Sequence, residues 1–126
     1  MTPGETEEGV LAPLRAIADA LAAEDPTFRA EVRATLTRDS FEVPADAAVV
    51  RAVRGAAWEV LGETPVTRGF PFWMDAAFLA AAGIETVVIG GRGAGAHELV
   101  EWADVDSHVQ IAEILARAAA AFCVVS

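Results

Sequence analysis

Lysine is absent from this chain: all nine basic residues are arginine, set singly among nineteen acids, and the formal charge is −10. Gripping phosphate groups requires clustered basic side chains, so this balance disfavours nucleic acid and anionic membrane as partners. Cysteine occurs once, as Cys123. That excludes an internal disulfide, and the apolar C-terminal setting predicts a buried small hydrophobe rather than a nucleophile. Apolar runs are broken by charge well short of the roughly 18 residues that a membrane span needs. The opening stretch Thr2-Pro3-Gly4-Glu5-Thr6-Glu7-Glu8 has neither the basic nor the apolar part of a secretory signal. A cytoplasmic location is the default expectation. Histidine is scarce too, with only His97 and His108 available as imidazole.

What is present is apolar mass. Of 126 residues, 54% are hydrophobic and 22% charged, which predicts a packed core rather than disorder. The length suits one ordinary domain or two small pieces sharing a core. Much of the apolar count is alanine, which buries little area, so the core is expected to be thin.

Helical spacing marks the first element. Val10, Leu11, Leu14, Ile17, Ala18 and Leu21 form one stripe, with Thr6 as N-cap, Glu7 and Glu8 in the first turn, and Asp25-Pro26 as the stop. From Phe28 the period becomes two: Phe28, Ala30, Val32, Ala34 and Leu36 alternate with polar residues, as in a half-buried strand. A polar connection, 38–44, places a boundary near residue 42. A second helix is predicted over 46–61 with Gly62 as its C-terminal cap. Residues 65–68 are short and extended, and a third helix covers roughly 74–82. Residues 84–89 contain the β-branched run Thr86-Val87-Val88-Ile89, which reads as a strand buried on both faces. A last helix is predicted from Asp106 or Ser107 to about Phe122, with Ser107 and Gln110 at capping-box spacing. The class is α/β.

The segment Gly90-Gly91-Arg92-Gly93-Ala94-Gly95-Ala96-His97 follows the buried run directly. Ligands of α/β sheets gather beyond the carboxyl ends of strands, and glycines let the main chain approach them. Gly91 to Ala96 matches a dinucleotide fingerprint, but no helix opens at the loop and the following residues are acidic, so that reading fails on context. The residues alone leave His97 open between a ligand and an incidental turn histidine.

A family resemblance shifts the balance. Pro3-Gly4-Glu5, the stretch from Phe70 through Met74-Asp75-Ala76 and Gly83-Ile84-Glu85-Thr86 to Gly90, and Ala96-His97 followed by Glu101 resemble the dinuclear-zinc metallopeptidase and deacylase family. That family is of the acetylornithine deacetylase, succinyl-diaminopimelate desuccinylase, aminoacylase and glutamate carboxypeptidase type. The matches run in order over nearly the whole chain. By this resemblance, residues 1–42 correspond to a helix plus a strand of a βαββαβ lid, or dimerisation, domain. Residues 43–126 correspond to the C-terminal half of a mixed α/β catalytic domain.

The resemblance implies an amidohydrolase that cleaves an amide bond of a small N-acyl amino acid or peptide. Two Zn²⁺ ions, replaceable by Co²⁺ in some members, activate a water there. His97 matches the last metal-ligand position. Glu101 matches the trailing glutamate and is expected to order the loop. Asp75 either orients the glycine loop or caps the helix beginning there. Gly90, Gly91 and Gly93 either present N–H groups to a substrate carboxylate or serve a tight turn, and Arg92 either contacts that carboxylate or faces solvent. Met74, Glu85 and Gly90-Gly91-Arg92 depart from the family's usual residues. The N-terminal ligands and the general base have no counterpart, and His108 shows no ligand spacing to His97. The chain alone is therefore expected to be inactive and to bind zinc poorly. It is expected to pair with a missing N-terminal half or with a second copy. The rival reading is a non-catalytic dimerisation or complementation module derived from the fold.

Overall fold

The computed structural model describes residues 2–123. The chain divides into two compact units, Met1–Glu42 and Val43–Ser126.

The first unit is built on helix α1, Glu7–Glu24. Thr6 caps it as expected: its hydroxyl oxygen accepts from the Gly9 amide at 3.1 Å. Glu7 and Glu8 occupy the first turn, where the helix dipole favours acids. At the other end Asp25 accepts from the Thr27 hydroxyl at 2.7 Å and the Thr27 amide at 2.8 Å, and these bonds hold its carboxyl below the usual range. Of the apolar stripe only Leu11 is buried; Val10, Leu14, Ile17 and Leu21 stay 42–59% exposed.

The alternating segment from Phe28 to Leu36 is not a strand. Phe28 and Val32 are half-buried and Leu36 is 69% exposed. A ladder needs a neighbour to accept and donate its main-chain hydrogen bonds, and no described residue offers one. Two links tie the segment back to α1: Arg15 Nε donates to the Val32 carbonyl at 3.3 Å, and the Thr37 hydroxyl donates to Glu7.

The second unit carries α2 (Ala48–Leu61), α3 (Ala76–Ala81), β1 (Gly93–Ala94), β2 (Trp102–Ala103) and α4 (Val105–Phe122). It is dominated by helix with one small sheet, an α/β arrangement in the broad sense. Helices α2 and α4 pack together through Ala56, Ala57, Ile114 and Ala118, with Val53, Val60 and Ile89 around them. Alanines at the contact let the two backbones come close, since interaxial distance follows side-chain size. Arg117 on α4 joins the helices at the surface, reaching Glu59 at 3.1 Å and Glu113 at 2.7 Å. Helix α2 ends as its sequence dictates, with Gly62 left-handed at φ 73° and its amide on the Trp58 carbonyl.

At its start α2 has Ala47 in the cap position, which offers no side-chain acceptor. Glu85 supplies one from a distance: its carboxylate accepts from the Val49 amide at 3.2 Å. Residues 84–89, expected as a doubly buried strand, also form no ladder. Ile84 is 53% exposed, and only Ile89 reaches the core. The cause is again a missing neighbour strand among the described residues.

Cys123 is a further correction. It lies exposed at the C-terminal cap of α4, beyond the residues that face α2. No helix of the described residues is long and apolar enough to cross a membrane.

Candidate functional site

The glycine-rich segment folds into a hairpin. β1 and β2 run antiparallel, with Gly93 opposite Ala103 and Ala94 opposite Trp102. Between them the chain turns sharply: the Glu98 amide donates to the Gly95 carbonyl at 2.8 Å. Gly95 has φ 83° and His97 has φ 66°, the sole non-glycine residue with positive φ among the described residues. In this four-residue turn His97 holds the third position, where type II geometry requires positive φ and normally selects glycine or asparagine. A bulky L residue there carries a backbone cost, a condition found at sites where geometry serves a purpose.

The glycines answer to the hairpin itself. A Cβ on Gly93 would fall 2.6 Å from the Trp102 carbonyl oxygen, and one on Gly95 would overlap the Val100 carbonyl. A Cβ on Gly91 would sit 2.8 Å from the His108 ring and 2.9 Å from the Ser107 hydroxyl. These close approaches require glycine at 91, 93 and 95 whether or not a ligand is present. Gly90 opens onto free space.

Asp104 holds the hairpin onto α4. It is the N-cap of that helix, with Oδ1 accepting from the Ser107 amide at 3.0 Å. Its Oδ2 accepts from Arg92, Nε at 3.1 Å and Nη2 at 3.0 Å, and its amide donates to the Arg92 carbonyl at 2.9 Å. The Asp104 carbonyl accepts from the Ser107 hydroxyl at 2.7 Å and from His108 Nδ1 at 2.8 Å, which places a proton on that nitrogen. Ser107 is buried, and its hydroxyl oxygen in turn accepts from the Arg92 amide at 2.9 Å. The expected capping box at Ser107 and Gln110 is thus displaced. The cap lies three residues earlier, because a carboxylate that also pairs with Arg92 outcompetes a hydroxyl for the position. An aspartate three residues before Ser107 was the available signal.

The Ser107 amide chiefly, then Arg92, hold the Asp104 carboxyl below its usual range against an opposing effect of burial. A depressed carboxyl contributes stability above its unfolded value, near 3.9, that is lost as pH falls through the folded value. The hairpin is accordingly expected to loosen from α4 below about pH 4. Protection of the Ser107 and Arg92 amides from hydrogen exchange, taken relative to the intrinsic rate at each pH, should fall there, and Asp104→Asn should remove that acid limb while keeping a competent cap.

His97 stands exposed at the turn, with its ring 5.3 Å from that of Phe72. Asp75 is at the N-cap of α3 but makes no side-chain capping bond; its carbonyl accepts from the Phe78 amide at 2.9 Å. Glu101 is exposed, with its Cα beneath Gly95. Arg92 spends its guanidinium on Asp104. His108 is exposed, as expected, beside Gly91. Among the described residues, no three of His, Cys, Asp and Glu gather to hold a metal ion. A zinc ion takes four ligands, so His97 by itself does not fit one.

The chain is a member of the peptidase family M20/M25/M40, whose sequence profile matches residues 2–121. It is similar to an acetylornithine deacetylase from Myxococcus xanthus, 34% identical over 122 residues. That alignment covers 96% of this chain and 30% of the relative, so the chain spans less than a third of that protein's length. No solved structure matches it. The family resemblance read from the stretch around Asp75, Gly83, His97 and Glu101 is thereby borne out.

Proposed function

We propose that the chain is the C-terminal portion of a metal-dependent amidohydrolase that cleaves an amide bond of a small N-acyl amino acid or peptide. The observation that carries this reading is the placement of His97. In a chain of this peptidase family, the residue matching a metal ligand stands at the exposed turn of a hairpin, at a backbone cost that a mere turn would avoid by using glycine. The proposed cofactor of the complete enzyme is a pair of Zn²⁺ ions, or Co²⁺ in their place, with every ligand but His97 drawn from sequence outside this chain. Gly90, Gly91, Arg92 and Gly93 are the proposed substrate-facing backbone, and Asp75 and Glu101 support the loop. Residues 1–42 belong on this reading to a lid domain and 43–126 to the catalytic domain, in a cytoplasmic enzyme. Segment 28–37, alternating and without a ladder partner among the described residues, is where strands of the missing half or of a second copy would pair. The same observation favours the second reading, a complementation or dimerisation module without activity of its own.

A chimera decides between them. This chain replaces the aligned segment of the Myxococcus xanthus acetylornithine deacetylase, and hydrolysis of N-acetylornithine is followed with added zinc. Turnover that disappears in His97→Ala supports the enzyme reading. Turnover indifferent to His97→Ala sinks it. The 126-residue chain alone is expected to show neither stoichiometric zinc nor turnover, and finding both would overturn the proposal that it is a portion.

A further inference from the structure

Among the described residues the His97 imidazole has no hydrogen-bond partner. Metal-binding histidines ordinarily give their second ring nitrogen to a carboxylate or carbonyl, which fixes the plane of the ring. Here the ring has a different neighbour. Phe72 meets it edge to face, with centroids 5.3 Å apart and planes at 70°. Phe70 meets Phe72 in the same manner, at 5.2 Å and 61°. These are the separations and angles at which the aromatic quadrupoles attract.

We propose that Phe72 is a positioning residue for His97, its ring setting the orientation of the imidazole that the hairpin presents. The inference rests on the reading of His97 as a metal ligand. Two freedoms decide where an imidazole lone pair points: the direction of the Cα–Cβ bond and the rotation of the ring about the side-chain torsions. The turn fixes the first, since φ 66° at the third position commits the backbone of His97. The edge-to-face contact biases the second.

Phe72 can do this because its own chain segment is anchored. The next residue, Trp73, packs edge to face on Phe78 of α3, with centroids 5.0 Å apart. The Ala77 amide donates to the Met74 carbonyl at 3.1 Å, and Ala76 and Ala77 are buried. The stretch between Phe70 and Met74 is thus tied at its helical end and lined with rings at the other. Nothing of this is visible in residue spacing, because Phe72 and His97 are brought together across 24 intervening positions.

The test uses the whole 126-residue chain and the carbon-bound protons of its two histidines. Among the described residues His108 makes no ring contact, and it serves as the internal reference. In the parent, the His97 signals are expected to be displaced by the ring current of Phe72 and to show cross-relaxation to its ring protons. Phe72→Leu should abolish both, while Phe72→Tyr should keep both. Helical circular dichroism should be the same in all three, since Phe72 is itself 45% exposed. In the chimera, Phe72→Leu should lower kcat about tenfold, the scale of losing a group that orients a metal ligand, with recovery in Phe72→Tyr. If the His97 signals of the parent and Phe72→Leu coincide, the positioning role is overturned. That outcome is separate from failure of the metal reading, which would appear as chimera activity indifferent to His97→Ala.

Discussion

Ile114→Ala is expected to unfold the α2–α4 pair, the largest stability effect of any single truncation in the chain. Ile114 is 1% exposed and is the largest fully buried side chain among the described residues. Its buried partners at the centre are Ala56, Ala57 and Ala118, none of which can rotate a longer side chain into the space it leaves. Truncating a buried isoleucine to alanine costs about 2–5 kcal/mol, rising with the cavity that remains. Rigid alanine neighbours put this site toward the upper end. A domain's whole stability is about 5–15 kcal/mol, and a core made chiefly of alanine places the unit toward the bottom of that range. The substitution therefore removes most of what holds the two helices together. Thermal melts by circular dichroism should show the transition lost or greatly lowered. Ile114→Val, which deletes one methyl group, should cost only about 0.5–1.5 kcal/mol. Equal melts for the parent and Ile114→Ala would mean that α2 and α4 do not form the core.

The helices were legible because helical periodicity is local. Thr6, Asp25 and Gly62 mark ends that the structure keeps, although of the stripe on α1 only Leu11 is buried. Residues 28–37 and 84–89 have strand-like composition, but a strand is a property of two segments, and period two says nothing of whether a partner is present. Their apolar side chains stay on the surface: Leu36 at 69%, Ile84 at 53% and Val88 at 47%. Apolar surface of this kind marks places where something else packs, which accords with the proposal that the chain belongs to a longer enzyme. The hairpin was missed for another reason. Its two strands are two residues each, too short for periodicity to register, and its turn uses a histidine where glycine or asparagine would have announced it. The role of Asp104 depends on Arg92, twelve positions away, so only its capping half could be read from the sequence. The proposal that His97 is a ligand draws on the family motif; the residues around it left both a ligand and a turn histidine open.

The strain at His97 separates function from stability, which makes His97→Gly the most informative single substitution at the site. An L residue in the left-handed region costs about 1–2 kcal/mol relative to glycine, although histidine tolerates it better than most. Glycine gives back about 0.4–1 kcal/mol through the greater freedom of the unfolded chain. The two terms leave His97→Gly as stable as the parent, or up to about 1.6 kcal/mol more stable. His97→Ala keeps the positive φ and gains nothing. Function should move the other way. In the chimera, either substitution removes a metal ligand, and turnover should fall by more than the roughly 10–100-fold seen when only a ligand's supporting group is lost. A turn histidine without a ligand role predicts the reverse pattern: the glycine variant would be a more stable protein with full activity. Paired measurements of the unfolding midpoint of the chain and of zinc-dependent turnover in the chimera, each with His97, His97→Gly and His97→Ala, therefore discriminate fully. If His97→Gly lowers the midpoint, the backbone at position 97 is not under strain. If it raises the midpoint and spares turnover, the residue is not a ligand. A raised or unchanged midpoint with turnover lost is the result that the hairpin geometry predicts.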